Sequence, residues 1–218
     1  TDPANRYAWG ENAGWMNAGP TNGGVSVHFD GNAGWLSGHA WGENVGWIKM
    51  GADVGGPYAN TATNNWGVNM DASGDLSGYA WGENIGWINF GHERCDVAIH
   101  LTKGSFSGHA WGENVGWLKF SGSSPDYGVR TLAFDAQAQG TPNWWLSLYG
   151  IEDENEIGIK GIPAWQDYVS DTNPTNPGSI FHVEAVSFAS GGVAVSFWPA
   201  STRRYYTLLR RVSLLDGG

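Results

Sequence analysis

The stretch YAWGENAGW at residues 7–15 recurs three times with almost no change. The other copies are HAWGENVGW at 39–47, YAWGENIGW at 79–87 and HAWGENVGW at 109–117. The first Trp of successive copies is separated by 32, 40 and 30 residues, which is typical of proteins built from small repeated units. This repeated block therefore decides the fold of the first part of the chain.

Each copy predicts a tight hairpin. The central Gly-Glu-Asn-x-Gly favours a turn, because glycine adopts positive φ without steric cost and asparagine tolerates the left-handed region. The residues that follow alternate, as Ile48-Lys49-Met50 does, and alternation is typical of a half-buried strand. A third strand follows a variable loop in each unit, for example at residues 25–29. Three copies are preceded by an apolar residue, a serine and a glycine, the last being Gly38, Gly78 and Gly108.

The two Trp side chains of each copy are predicted to pack across the hairpin and to form the core. A unit of about 30 residues cannot bury two Trp alone, so the units must stack on one another. We therefore expect a mainly β fold, in which four stacked units of roughly 30–40 residues form a solenoid-like or closed array. A small propeller-like or trefoil-like closure is the alternative, and the spacing does not separate these arrangements.

The Glu-Asn pair at the centre of each turn has two interpretations. In the structural one, the glutamate accepts backbone N–H groups and the asparagine makes an Asx-type turn. In the functional one, the oxygens bind Ca²⁺ or sugar hydroxyls. Recurrence in every unit favours the structural interpretation for the Trp, Glu and Asn residues of the block. They are Trp9, Glu11, Asn12, Trp15, Trp41, Glu43, Asn44, Trp47, Trp81, Glu83, Asn84, Trp87, Trp111, Glu113, Asn114 and Trp117.

Composition and charge limit the class of protein. The 34 glycines and 14 tryptophans among 218 residues indicate turn-rich β structure rather than a helical enzyme core. The net charge of −10 argues against nucleic-acid binding. No apolar stretch reaches the roughly 18 residues of a membrane span. The chain begins at Thr1 without methionine, and we expect an exported protein whose signal peptide has been removed, located outside the cell or on its surface.

Two blocks beyond the repeats share a frame of Gly, Pro and Trp, at residues 135–146 and 156–167. Each resembles the calcium loop of dockerin-like and thrombospondin type 3-like modules of bacterial secreted proteins. Such loops bind the ion through acidic residues at positions 1, 3, 5 and 12. Most of these positions are changed here, and Lys160 brings a positive charge to position 5 of the second block. We therefore predict no cofactor and no bound calcium. The candidate ligands that remain are Asp135, Glu156 and Asp167.

The chain after the repeats is predicted to contain two short helices and three strands. The helices follow the two blocks, at 144–149 and 164–169, and the strand-like runs lie at 180–188, 192–198 and 205–215. This tail resembles the small β-sandwich-like endings that follow such calcium modules. The predicted domains are a four-unit repeat domain at 1–134, a degenerate calcium-module-like helical linker at 135–176 and a small β domain with an open edge at 177–218.

The repeat block itself resembles the tandem repeats of bacterial exported proteins. Signatures of a nucleophile elbow, a P-loop or a zinc protease are missing from the sequence, so we predict no enzymatic activity. The first hypothesis is a structural protein that self-associates through its repeats and C-terminal sheet edge as a filament or surface-layer subunit. The alternative is a glycan-binding adhesion module, which requires exposed Trp or Tyr faces beside Asn and Glu. Its candidate contacts are Tyr58 and Trp66, and the polysaccharide and the symmetry of any assembly remain open.

Overall fold

The structure is a computed structural model that describes residues 1–91, 93–189, 192–202 and 204–207. The chain divides into two compact units, Thr1–Glu152 and Asp153–Gly218. This division groups the first calcium-like block with the repeats and the second block with the C-terminal strands, unlike the predicted segments 1–134, 135–176 and 177–218. Among the described residues, no helix is long and apolar enough to cross a membrane.

The first unit is mainly antiparallel β-sheet and contains one short helix, α1 (Asn143–Leu148). Its strands are β1 (Tyr7–Gly10), β2 (Gly14–Asn17), β3 (Gly24–Phe29), β4 (Gly34–Gly42), β5 (Gly46–Lys49), β6 (Val68–Met70), β7 (Leu76–Gly82), β8 (Gly86–Asn89), β9 (Ala98–Ile99), β10 (Phe106–Ser107), β11 (His109–Gly112), β12 (Gly116–Lys119), β13 (Ser121–Ser123) and β14 (Asp126–Gly128).

The four sequence repeats form a closed antiparallel barrel of eight strands. Each copy of the block is one hairpin: β1–β2 is the first, β4–β5 the second, β7–β8 the third and β11–β12 the fourth. Each hairpin pairs with the next, and β12 pairs with β1 to close the ring. The prediction of a mainly β fold is confirmed. The repeats are arranged as a closed ring and not as an open solenoid, because the last hairpin bonds to the first.

Small and aliphatic side chains fill the barrel. The alanine of each block faces, across its hairpin, the apolar residue that follows the second Trp, as Ala40 faces Ile48. The variable residue of each turn is also buried, as Val45 is. The interior leaves an apolar cavity of only about 40 Å³. The inward side chains of the hairpins are Ala8, Ala13, Met16, Ala40, Val45, Ile48, Ala80, Ile85, Ile88, Ala110, Val115 and Leu118.

The third strands of the first two repeat units, β3 and β6, lie at the end of the barrel away from the turns. β3 pairs with the N-terminal part of β4, and β6 bridges β4 and β7 there. Their buried side chains, such as Val25 and Val68, continue the core. The short helix α1 packs at β3, where the ring of Trp144 meets that of Phe29 at 5.2 Å between centroids.

Among its described residues, the second unit contains a short helix and a pair of antiparallel strands. The helix is α2 (Ala164–Ser170), and the strands β15 (His182–Ala189) and β16 (Gly192–Trp198) pair antiparallel. Both predicted helices are therefore present, and so are the first two of the three predicted C-terminal strands. Residues 208–215 of the third predicted strand lie outside the described residues.

Candidate functional site

The paired Trp side chains lie on the outer face of the barrel. Because successive side chains of a strand point to opposite faces, Ala8 and Met16 point inward while Trp9 and Trp15 point outward. Trp15 is 37% exposed, and its counterparts are exposed or half-buried. The prediction that the Trp pairs form the core is therefore wrong. Their packing across each hairpin is as predicted, with ring centroids 4.7–4.9 Å apart in all four copies.

A third aromatic ring completes the outer face of each hairpin. The Tyr or His that begins each block packs edge-on against the second Trp, with centroids 6.0–6.3 Å apart. The outer surface of the barrel therefore carries a ring of aromatic side chains, which we term the aromatic belt. Its members are Tyr7, Trp9, Trp15, His39, Trp41, Trp47, Tyr79, Trp81, Trp87, His109, Trp111 and Trp117.

The four turn asparagines join neighbouring hairpins. In each case the side-chain Nδ2 donates to the backbone carbonyl of the variable turn residue in the preceding hairpin, at 3.1–3.4 Å. Asn44, for example, donates to Ala13, and Asn12 donates to Val115 across the closure of the ring. The asparagine thus bonds to its neighbour, whereas the sequence had suggested an Asx-type turn within the same block.

The four turn glutamates have no comparable contact. Glu11, Glu43, Glu83 and Glu113 are exposed, and among the described residues none of their side chains makes a hydrogen bond or an ion pair. None accepts the backbone N–H groups that the structural interpretation assigned to it. The fold therefore supplies no reason for the recurrence of glutamate at this position.

The belt contains shallow grooves where adjacent hairpins meet. Between the second and third hairpins, a groove of 430 Å³ is lined by His39 and Trp47 on one side and by Trp81 and Glu83 on the other. Between the third and fourth hairpins, a second groove of 430 Å³ is lined by the matching residues Tyr79, Trp87 and Glu113. Each of these grooves thus joins aromatic faces of one repeat to the free carboxylate of the next.

The groove between the second and third hairpins also contains Lys49. Its Nζ donates to Asp53 Oδ1 at 2.6 Å, and this hydrogen bond, with the accompanying charge attraction, lowers the pKa of the Asp53 carboxyl. The groove therefore holds one ammonium, paired with Asp53 outside it, and the carboxylate of Glu83.

The two loop aromatics predicted to contact a glycan lie in different environments. Tyr58 is buried between Gly51 and Gly67, its hydroxyl donates to the carbonyl of Leu36 at 3.0 Å, and burial raises the pKa of its phenol. The prediction for Tyr58 is therefore wrong, because its ring has no free face. Trp66 lines the groove beside Trp87.

The second calcium-like loop holds an ammonium group where a metal ion would need oxygen ligands. Lys160 Nζ donates to the Asp167 carboxylate and the Thr172 hydroxyl, and to the carbonyls of Asn173 at 3.0 Å and Ser179 at 2.8 Å. The Lys160 side chain is 7% exposed and that of Asp167 only 1%. The oxygens are thus occupied by a fixed positive charge, and the loop does not fit calcium. Glu156, the other candidate ligand, is exposed.

The first calcium-like loop has the same backbone pattern and also does not fit calcium. In both loops the backbone N–H of position 3 donates to the carbonyl of the residue before the proline. Gln137 donates to Thr141 in the first loop, and Gly158 donates to Ile162 in the second. Asp135, the remaining acidic ligand of the first loop, is paired with the guanidinium of Arg130. The side-chain amide of Gln137 donates to the carbonyl of Glu152 at 2.8 Å, and position 12 is Leu146, which has no side-chain oxygen.

The fold and the belt define a closed eight-stranded barrel of hairpin repeats with outward aromatic and acidic grooves. Comparison with protein-family models, with curated proteins and with solved structures finds no match to this chain. The function is therefore inferred from the chemistry of the grooves.

Proposed function

We propose that this protein is a non-catalytic, extracellular glycan-binding module whose aromatic belt stacks on pyranose rings. The observation that carries the proposal is the outward position of the Trp pairs beside four glutamates that have no contact within the described fold. Exposed apolar surface of this kind, with polar groups at its edge, is typical of interaction sites.

The chemistry of the grooves favours a neutral sugar in the gluco configuration. A pyranose whose hydroxyls are all equatorial presents axial C–H groups on a flat apolar face, which matches the face of an indole ring. Carboxylates such as Glu83 and Glu113 accept hydrogen bonds from the equatorial hydroxyls at the ring edge. The carboxylates of the grooves and the net charge of −10 disfavour uronic or sulfated sugars.

Replacing all four turn glutamates by glutamine is expected to weaken glycan binding about tenfold or more, a loss of about 1.4 kcal/mol. The unfolding temperature should stay within about 2 °C of the wild type, because exposed residues without partners contribute little to stability. Affinity electrophoresis in gels with hydroxyethylcellulose, arabinoxylan or glycol chitin measures the binding, and differential scanning calorimetry measures the stability.

A matched control removes four carboxylates from positions outside the belt. Glu93, Glu152, Glu156 and Glu184 are exposed residues outside the belt, and their joint replacement by glutamine should leave gel retardation unchanged. Retardation that is equal in both quadruple variants, or a large loss of stability in the belt variant alone, would contradict a binding role for the turn glutamates.

Self-association is a second candidate function, favoured by the C-terminal hairpin. β15 and β16 pair only with each other among the described residues and expose a set of apolar side chains. Phe188 is 82% exposed, far more than a folded domain usually leaves uncovered. A second copy of the chain, paired or packed on this hairpin, would support a filament or surface-layer subunit.

The mean molecular mass in light scattering is expected to rise with protein concentration if the hairpin carries self-association. The variant with Phe188→Ser and Val193→Ser should remain monomeric, because both side chains are exposed on the hairpin. Leu132→Ser, at an exposed apolar residue of the first unit, is the control that should still associate. A wild-type protein that stays monomeric at high concentration removes this candidate.

A further inference from the structure

Two of the four hairpins carry an additional aromatic ring from a loop. The ring of Trp66 meets that of Trp87 on the third hairpin, at 5.1 Å between centroids and 84° between planes. The ring of Tyr127 meets that of Trp15 on the first hairpin, at 5.0 Å and 86°. In both cases the added ring packs edge-on against the second Trp of the block.

The two added rings come from unrelated segments outside the repeated block. Trp66 ends the long segment between β5 and β6, before the third hairpin, whereas Tyr127 lies in the β13–β14 hairpin, after the fourth. Within the part of the chain described, Trp47 and Trp117 of the second and fourth hairpins have no such neighbour. The repeat itself therefore does not produce the four-ring cluster, and two separate insertions build the same arrangement.

Each four-ring cluster lies beside a wall of small polar residues. Asn60, Thr61 and Thr63 line the 430 Å³ groove at the third hairpin. Ser123 and Ser124, together with the charged Lys119, line a groove of 600 Å³ at the first hairpin. Hydroxyl and amide groups next to an aromatic floor are suited to hydrogen bonds with the edge of a sugar ring.

The two clusters lie on opposite sides of the barrel. In the closed ring, the first and third hairpins are separated by the second hairpin on one side and the fourth on the other. Eight strands about 4.8 Å apart and tilted about 40° make a barrel roughly 15 Å across at the backbone. A stiff glycan chain cannot bend around so small a cylinder, so the two grooves must engage separate chains.

We infer that this protein is bivalent and bridges two glycan chains through opposed sites, one at Trp66 and the third hairpin and one at Tyr127 and the first hairpin. This inference rests on the proposed glycan-binding function and adds its stoichiometry and its specific residues. Bridging would make the protein a cross-linker of an extracellular polysaccharide, since each molecule holds two chains together.

Isothermal titration calorimetry with cellohexaose, xylohexaose and chitohexaose tests the number of sites. For the sugar that binds, we expect two oligosaccharides per wild-type chain. The variants Trp66→Ala and Tyr127→Ala should each bind one. The double variant should lose both sites. Tyr205→Ala, at an exposed tyrosine outside the belt, is the matched control and should keep two.

Light scattering of the full chain mixed with the corresponding polymer tests bridging directly. For hydroxyethylcellulose, arabinoxylan or glycol chitin, the wild type should raise the scattering at least tenfold over the polymer alone, and each single variant should abolish the rise. Protein without polymer supplies the baseline for self-association.

The outcomes separate the two proposals. Binding of one hexasaccharide per wild-type chain overturns bivalence and leaves glycan binding in place. Binding of four hexasaccharides per wild-type chain overturns the special role of Trp66 and Tyr127. Binding of two hexasaccharides by Trp66→Ala or by Tyr127→Ala overturns it as well. A failure of all three sugars and their polymers to bind overturns the proposed function itself.

Discussion

Lys160→Met is expected to destabilise the fold around the second calcium-like loop by about 3–5 kcal/mol. The substitution keeps a long apolar side chain but removes the ammonium from a site that is almost closed to solvent. The Asp167 carboxyl would then be buried without its charged partner, and breaking a buried ion pair by removing one partner is among the most destabilising changes in a protein.

The geometry explains why the loss should be large. The ammonium of Lys160 lies within hydrogen-bonding distance of four oxygens from three parts of the unit: α2, the segment that follows it and the turn that ends at Ser179. One oxygen of Asp167, Oδ2, is buried without a partner in the described structure. The carboxylate therefore depends on Lys160 and on the Thr172 hydroxyl. Removal of the ammonium leaves the two carbonyls without this donor as well.

Hydrogen exchange monitored by mass spectrometry measures the effect in the full chain. Peptides that cover residues 156–179 should exchange faster in Lys160→Met, while peptides from the barrel stay protected. Lys103→Met, at an exposed lysine, is the control and should change neither. The double variant with Lys160→Met and Asp167→Leu should recover much of the protection, because it removes both charges.

A further variant tests whether the ammonium takes the place of a metal ion. Lys160→Asp supplies a carboxylate beside Asp167 and the two backbone carbonyls, which is a set of hard oxygen ligands. Millimolar CaCl2 is expected to slow exchange of residues 156–179 in this variant and to leave the wild type unchanged. A wild-type protein stabilised by calcium would contradict the assignment of this site to Lys160.

Gly38→Ala is expected to lower the free energy of unfolding of the barrel by about 3–5 kcal/mol. Gly38 has φ +82°, where a Cβ atom alone costs about 1–2 kcal/mol. Its Cβ would also lie 1.9 Å from the carbonyl oxygen of Gly24, so β3 would have to move away from β4. The corresponding glycines Gly78 and Gly108 face backbone carbonyls in the same way, at 2.2 and 2.0 Å.

Gly55→Ala isolates the contribution of the close approach. Gly55 has a similar φ of +76°, but no heavy atom lies within 4 Å of the position that a Cβ atom would take there. This control should cost only about 1–2 kcal/mol, the conformational part. Urea denaturation followed by circular dichroism gives both values, and equal losses would show that the carbonyl contact with Gly24 is unimportant.

The local structure of the repeat could be predicted from its residues. Gly-Glu-Asn-x-Gly turns the chain, and the turn glycines such as Gly14 have the positive φ that only glycine adopts easily. The cross-strand Trp pair follows from the equal distance of both Trp from the turn. The short helices after the two calcium-like blocks were also predictable, and each begins directly after the proline of its block, Pro142 or Pro163.

The candidate site was harder to predict, because its parts come from different repeats and loops. Trp66 and Tyr58 are both single aromatics in one loop, yet only Trp66 lines a groove. The flanking glycines Gly51 and Gly67, which enclose the Tyr58 ring, could have indicated burial. Tyr127 gave no signal in the sequence, because its contact with Trp15 joins residues more than a hundred positions apart.

The sequence by itself determined four hairpins, the pairing of Trp across each of them and the ammonium at position 160. Only the tertiary structure decided which face of the hairpins is the core. The alternation of side chains along each strand defines two faces of a hairpin. Both faces of this repeat carry apolar groups, with Ala and Ile on one face and Trp on the other. Closure into eight strands leaves a narrow interior that three small or medium-sized apolar side chains from each hairpin fill, so the bulky Trp rings must lie outside. The same closure places the Trp rings on the outer surface, where the proposed binding grooves lie.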